Sequence, residues 1–141
     1  KLTRARDAGY AAEQVNPFLA KALLAQGEFK RVLEDFPEPA DGNKEAVPLL
    51  ILRASAQLGT GKKEEARKSL SHAAAAAPQD AEVLLAQARL ALADGDPTKA
   101  GQHIDDALRI DPKNRDGWLF KGDLLRAMRK PAEAAEAYKT L

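Results

Sequence analysis

Large apolar residues recur along the whole chain at a spacing of 34 residues, far longer than the period of one helix or strand. One such column consists of Leu2, Phe36, Leu70, Ile104 and Tyr138. A second column, four residues earlier and mostly small, consists of Val32, Ala66, Ala100 and Ala134. A small residue one helical turn from a large one lets two helix backbones approach while the large side chain fills the space beside them. The pattern therefore predicts helices packed in pairs and repeated along the chain.

Glycine marks the end of the first helix in most of these repeats. Gly27, Gly61 and Gly95 keep the same spacing, and Arg129 breaks the pattern in the last repeat. Glycine adopts positive φ without strain, as the end of a helix often requires. A further column of small residues lies two helical turns before these glycines and consists of Ala20, Ala54, Ala88 and Gly122. Each repeat is thus predicted to be a helix, a glycine turn and a second helix.

Prolines mark where a repeat ends and the next begins. Pro78 and Pro112 cannot continue the preceding helix, and Asp80 and Asn114 follow them as expected N-caps. The repeats are expected at 12–43, 44–78, 79–112 and 113–141, the last truncated, after the second helix of a truncated repeat at 1–10. The helix pairs are expected at 12–26 with 28–36, 44–59 with 62–77, 80–94 with 96–110, and 114–128 with 131–141. In the repeat at 12–43, Pro37 and Pro39 should end the second helix early.

Several motifs at this period resemble the tetratricopeptide repeat (TPR), whose signature is W-x2-L-G-x2-Y, then A-x3-F, then P. They are Trp118-x2-Lys121-Gly122-x2-Leu125, and the pairs Ala66-x3-Leu70, Ala100-x3-Ile104 and Ala134-x3-Tyr138. Lys121 departs from the leucine of that signature. The resemblance implies an all-α fold, an α-α superhelix or TPR solenoid of about four helix-turn-helix repeats plus a leading half repeat. The chain would then be a single TPR array over 1–141.

Composition supports helices and excludes several kinds of chemistry. Hydrophobic residues make up 45% of the 141 positions but aromatic residues only 5%, so alanine and leucine must supply most of the core. The absence of cysteine excludes disulfides and thiolate chemistry. A net charge of +1, with lysines and arginines dispersed among acids, argues against nucleic acid as a partner.

No catalytic constellation emerges from the remaining residues. The G-x-G-K within LGTGKKEE lacks the spacing of a phosphate-binding loop and lies between two predicted helices. Adjacent acids such as Asp105 and Asp106 point about 100° apart on a helix, so they cannot act as a catalytic pair. His72 and His103 lie on different repeats. We therefore expect a protein that is not an enzyme and that holds neither a cofactor nor a metal.

The TPR resemblance implies a protein or peptide partner in a concave groove formed by the first helix of each repeat. The candidate groove residues are Phe18, Lys21, Leu24, Ser55, Arg89, Phe120, Asp123 and Arg126. Apolar neighbours expected on the same surface are Ile51, Leu52, Leu85 and Leu119. One TPR subset holds the C-terminal carboxylates of chaperones with a Lys/Asn clamp, but Pro17, Ile51 and Leu85 stand where that clamp has lysine. The alternative for the aromatic residues is packing between helices, and for the cations a solvated surface.

A narrower resemblance lies in residues 5–40, ARDAGYAAEQVNPFLAKALLAQGEFKRVLEDFPEPA. This stretch is similar to the TPR-repeat lipoproteins of bacterial PEP-CTERM/exosortase systems. The resemblance implies a scaffold for protein sorting or exopolysaccharide export, located in the periplasm or anchored to the outer membrane. Membrane contact would occur only through a lipid anchor outside this segment. The chain starts at Lys1 without a signal peptide, which indicates a piece of a longer protein, and the residues alone leave a cytoplasmic location open.

Two other functions remain open at the level of sequence. The array could be a passive spacer whose ends associate with other copies, since nothing in the sequence identifies a partner. It could also be the regulatory arm of a larger enzyme such as a glycosyltransferase, because TPR arrays serve many proteins.

Overall fold

The structure is a computed structural model that describes residues 22–36 and 46–141. Residues 22–25 are helical, and seven further helices follow: α1 (Phe29–Asp35), α2 (Val47–Gly59), α3 (Lys63–Ala76), α4 (Ala81–Ala93), α5 (Pro97–Ile110), α6 (Arg115–Ala127) and α7 (Pro131–Lys139). These described residues contain no β-strand. The all-α fold predicted from the sequence is confirmed, and α2 to α7 begin and end within a few residues of the predicted positions.

Two compact units divide the chain, one ending at Pro78 and the other comprising Gln79–Leu141. In the first unit, α2 packs against α1 and against α3. In the second, α4 packs against α5, α5 against α6, and α6 against α7. Within each unit, helices that are neighbours in sequence are neighbours in space, which is the arrangement of helix-turn-helix repeats.

The apolar columns of the sequence form the interior of both units. Phe36, Leu70 and Ile104 are fully buried, and Tyr138 is half-buried. The small columns are buried as well: Val32, Ala66, Ala100 and Ala134 in one, and Ala54, Ala88 and Gly122 in the other. Leu2 and Ala20, the first members of two columns, lie outside the described residues. The register predicted from the sequence is confirmed wherever the structure describes it.

Helices α6 and α7 approach closely where Gly122 meets Tyr138. A Cβ atom on Gly122 would overlap the ring of Tyr138, with the ring Cζ only 2.8 Å away. Glycine at this position therefore lets the aromatic ring lie directly on the backbone of α6. The ring of Tyr138 takes the space that an alanine side chain occupies at positions 54 and 88.

Left-handed residues end the first helix of each described repeat. Gly27, Gly61 and Gly95 have φ of 77°, 80° and 78°, as their spacing predicts. Arg129 takes the same conformation, with φ of 61°. The interruption in the glycine column is thus a change of residue without a change of turn, and the arginine carries the strain of a left-handed backbone.

Side-chain caps fix the starts of α4, α5 and α6. Asp80 accepts a hydrogen bond from the backbone N–H of Glu82 at 2.8 Å, and Asn114 accepts one from that of Gly117 at 2.9 Å. Both N-caps were predicted. Asp96 caps α5 in the same way, accepting from the N–H of Lys99 at 3.0 Å. Each such cap satisfies a backbone donor that the first turn of a helix leaves without an intrahelical partner.

Polar side chains tie the helices of the first unit together. The Nη1 atom of Arg53 on α2 donates to the carbonyl oxygens of Phe36 and Leu33, at the end of α1. A guanidinium there satisfies carbonyls that have no intrahelical partner and complements the negative end of the helix dipole. The α1 helix ends at Asp35, before Pro37, as the two prolines predict. Residues 37–45 lie outside the described residues.

Arg129→Gly is expected to stabilise the protein by up to about 1 kcal/mol. Glycine relieves a left-handed strain of roughly 1–2 kcal/mol, offset by its larger backbone entropy in the unfolded chain. The midpoint of urea unfolding would measure the change. Gly95→Ala is the matched control: its Cβ would meet no atom within 4 Å, so its expected destabilisation of about 1 kcal/mol comes from the backbone alone. A lower midpoint for Arg129→Gly would contradict this account of the turn.

Ile104→Ala is expected to destabilise the protein by about 2–5 kcal/mol, because it empties a fully buried position between helices. Ala100→Leu should cost about 1–3 kcal/mol by overfilling the contact one turn away. Ile110→Ala, at an exposed position of the same helix, is the control and should change the unfolding free energy by less than about 0.5 kcal/mol. Equal effects from all three substitutions, measured by urea unfolding, would refute the assignment of the columns to the interior.

Candidate binding groove

The predicted groove residues fall in both units. Phe18 and Lys21 lie outside the described residues. Leu24 and Ser55 are half-buried in the first unit, where Leu24 packs against the core. The other four, Arg89 on α4 and Phe120, Asp123 and Arg126 on α6, lie in the second unit. The candidate site that can be built from described residues is therefore the one in the second unit.

An open groove of about 490 Å³ lies between α4 and α6. It is lined by Arg89, Leu92, Asp116, Leu119, Phe120 and Asp123. Three of the predicted candidates, Arg89, Phe120 and Asp123, are thus brought together in one cavity. Arg126 is not in its lining, and Leu85, which the sequence analysis placed on this surface, is instead fully buried in the core of the second unit.

Helical spacing explains which side chains share the groove. On α6, Asp116, Leu119, Phe120 and Asp123 are separated by three, one and three residues, so they form one face. On α4, Arg89 and Leu92 are one turn apart. Leu92 and Leu119 are 38% and 46% exposed. Leu92 and Asp116 were not among the predicted residues, although each lies one turn from a residue that was.

Phe120 connects the core to the groove. Its ring packs against the buried cluster of the second unit and also lines the cavity. The Cζ atom of Arg89 lies 5.8 Å from the centre of this ring, which is the geometry of a cation–π contact. Packing and exposure were alternative interpretations of Phe120, and the residue does both: it packs against the core and lines the groove.

The carboxylate of Asp123 is held by two side chains. Tyr138 of α7 donates its phenolic hydrogen to Oδ1 of Asp123 at 2.5 Å. Nη2 of Arg126 lies 3.8 Å from the same oxygen, and both side chains of that ion pair are more than half exposed. The hydrogen bond to Asp123, together with desolvation, raises the pKa of Tyr138 above its ordinary value of 10.0. Tyr138, on the second helix of its repeat, thus fixes the orientation of the Asp123 carboxylate in the groove.

Asp116 has a different environment. It lies in the first turn of α6, two residues after the N-cap Asn114, and its side chain is exposed. Within residues 22–36 and 46–141, no cation lies within ion-pair distance of it. The positive end of the helix dipole favours a carboxylate in the first turn of a helix.

Other candidate chemistry does not assemble. His72 is exposed, while burial lowers the pKa of His103 and the charge of Lys99 lowers it further. No group of three or more potential metal ligands is present in the described part of the chain. Of the helices described, none is long and apolar enough to cross a membrane. The glycine-containing segment after α2 is a turn between two helices, as predicted.

Comparison with known proteins agrees with this architecture. Residues 51–115 match the family model of the tetratricopeptide repeat. The fold is the α-α superhelix of TPR proteins, which in general is a non-catalytic scaffold that binds other proteins. No curated protein sequence matches the chain.

Solved structures with the same fold include several of MamA. The chain is 19% identical to MamA from Desulfovibrio magneticus RS-1, residues 41 to the end, with a TM-score of 0.62 over 90% of this chain and 72% of that one. A double mutant of MamA RS-1 gives 18% identity and a TM-score of 0.62, covering 99% and 78% of the two chains. Another MamA crystal structure is 18% identical, with a TM-score of 0.57 over 86% of this chain and 71% of that one. At these identities the likeness concerns the fold alone.

The phenol of Tyr138 is expected to titrate above pH 10.0, because its neutral form donates to Asp123. The stability from this bond is present below that pH and is lost as the pH rises through the raised pKa. Asp123→Leu, which removes the acceptor, should return the pKa toward its ordinary value. The absorbance of the phenolate measures the titration in both proteins. In Tyr138→Phe only the signal of Tyr10 remains, so the difference identifies the signal of Tyr138. An unchanged pKa in Asp123→Leu would show that the bond is not formed in solution.

Proposed function

We propose that this chain is a non-catalytic scaffold for protein–protein interaction and that the groove between α4 and α6 binds a segment of the partner. The observation that carries the proposal is the pair of exposed leucines, Leu92 and Leu119, facing one cavity from opposite helices. Exposed apolar side chains that converge on a concave surface mark binding sites far more often than isolated ones do.

The rim of the groove supports the same proposal. Charged groups of both signs, Arg89 and the carboxylates of Asp116 and Asp123, surround the apolar centre. Protein interfaces commonly combine an apolar centre with a polar rim, and the rim selects the partner and orients it. A cavity of about 490 Å³ accommodates a few side chains of a peptide.

We further propose that the protein works in the bacterial cell envelope, as part of a TPR lipoprotein linked to PEP-CTERM protein sorting or exopolysaccharide export. The support is the similarity of residues 5–40 to such lipoproteins, most of which lies outside the described residues. In this proposal a lipid anchor elsewhere in the full-length protein holds the array in the periplasm or at the outer membrane, where its groove gathers components of the export machinery.

Photo-crosslinking tests both parts of the proposal. A photoreactive amino acid is placed at Leu119 in the full-length protein, in its native cells, and adducts are identified by mass spectrometry. The control carries the same group at Gln102, which is exposed on α5 and does not line the groove. We expect adducts at position 119 that are absent at 102 and that disappear when Leu92→Asp is added, because the aspartate places a charge in the apolar centre.

The possible outcomes test the two parts of the proposal, groove binding and envelope location, separately. Adducts with envelope export or polysaccharide components at position 119 support both parts. Groove-specific adducts with cytoplasmic proteins would contradict the envelope location but would still support a protein-binding scaffold. Equal labelling from both positions, or none from position 119, would contradict groove binding and favour the passive spacer.

A further inference from the structure

The groove between α4 and α6 also indicates what kind of segment it selects. We propose that it binds an amphipathic helix in which an apolar centre is flanked by two cationic side chains, Lys or Arg, seven residues apart. This inference rests on the proposed function, since it specifies the partner of the same groove. It follows from the spacing of groups along α6 and from which charges in the groove already have partners.

Two carboxylates flank the apolar centre of α6. Asp116 and Asp123 are seven residues apart, which places their Cα atoms about 10.5 Å apart along the helix axis. Leu119 and Phe120 lie between them on the same face. The sequence along this wall of the groove is therefore acid, apolar, apolar, acid.

The cations near the groove are already engaged. The guanidinium of Arg89 lies over the ring of Phe120, with 5.8 Å from Cζ to the ring centre. Arg126 lies outside the lining and faces Oδ1 of Asp123, the oxygen that already accepts the hydrogen bond of Tyr138. The cationic groups are thus paired with an aromatic face and with an acid of the same helix.

The acceptors of the carboxylates remain available. Asp116 has no ion pair, and Oδ2 of Asp123 accepts no hydrogen bond, within the described ranges of the chain. Tyr138 fixes the orientation of Asp123 through Oδ1, so Oδ2 is held in place for a donor from a ligand at no further cost in rotamer entropy. Of the groups lining the cavity, two are acids and one is a cation.

A helix laid along α6 fits this wall. Its cations at positions i and i+7 repeat the axial spacing of the two carboxylates, and apolar residues at i+3 and i+4 face Leu119 and Phe120. Leu92 covers the apolar centre from the side of α4. Tyr138 is then a positioning residue for one of the two cation sites.

The test uses two capped helical peptides of equal length as probes. One has Lys at i and i+7 with Leu at i+3 and i+4, and the other has Glu in place of both Lys. Binding to the 141-residue chain is measured by fluorescence anisotropy at low and high salt. We expect the Lys peptide to bind at least about fivefold more tightly at low salt, with the difference shrinking as salt screens the charges.

The double variant Asp116→Asn/Asp123→Asn should remove this preference. Asparagine keeps an acceptor for the hydroxyl of Tyr138, so the fold of α6 and α7 is preserved. The matched control is Glu65→Gln/Glu133→Gln, which removes the same charge from exposed first turns of α3 and α7 and should keep the preference. Urea unfolding of both variants confirms that they are folded.

Tighter binding of the Glu peptide would overturn the proposal and assign the groove to acidic segments at Arg89. Equal binding of the two peptides, or binding of neither, would overturn it as well. A control variant that loses the preference as fully as the Asn variant would refute the assignment to Asp116 and Asp123. Groove-specific crosslinks at position 119 would stand in all these cases, so the selectivity and the proposed function fail separately.

Discussion

The contact between paired helices at small side chains is the constraint on which the rest of this structure depends. Ala66 and Ala100 are fully buried, and a large apolar residue one turn later, Leu70 or Ile104, is buried beside each of them. Close packing of this kind fixes the rotation of each helix about its own axis, because a rotation by one residue would drive a large side chain into the partner helix. Once the rotation is fixed, the side chains left for solvent are fixed as well.

The same rotation sets which side of α6 faces the groove. Gly122 faces α7 and receives the ring of Tyr138, while Leu119, Phe120 and Asp123 face the cavity. The two sides meet in Tyr138, whose ring packs on the backbone of α6 and whose hydroxyl reaches Asp123. Interior packing and the polarity of the groove wall are therefore coupled through one side chain of the second helix.

Features that repeat at the 34-residue spacing could be predicted from the sequence, and features found in one repeat could not. The buried columns recur, so the comparison of repeats reveals them. Asp96 caps α5, but the corresponding positions carry Lys62 and Lys130, so no column indicates the cap. Arg129 shows that the turn geometry can persist without its glycine, since its φ of 61° lies in the same left-handed region. Leu85 was wrongly placed in the groove: it lies one turn before Arg89 on α4, but its side chain is fully buried in the core of the second unit.

The same comparison of repeats shows where specificity resides in this fold. Positions 54, 88 and 122, which pack, carry only alanine or glycine, whereas the adjacent positions 55, 89 and 123 carry serine, a cation and an anion. Packing tolerates only a narrow range of volumes, so these columns vary little. A side chain that faces the groove meets no such limit, and its chemistry can differ in every repeat. Arg89 and Asp123 occupy equivalent places in successive repeats and line one cavity with opposite charge. What the groove recognises therefore depends on neighbouring repeats taken together. Neither the fold nor one repeat alone determines it.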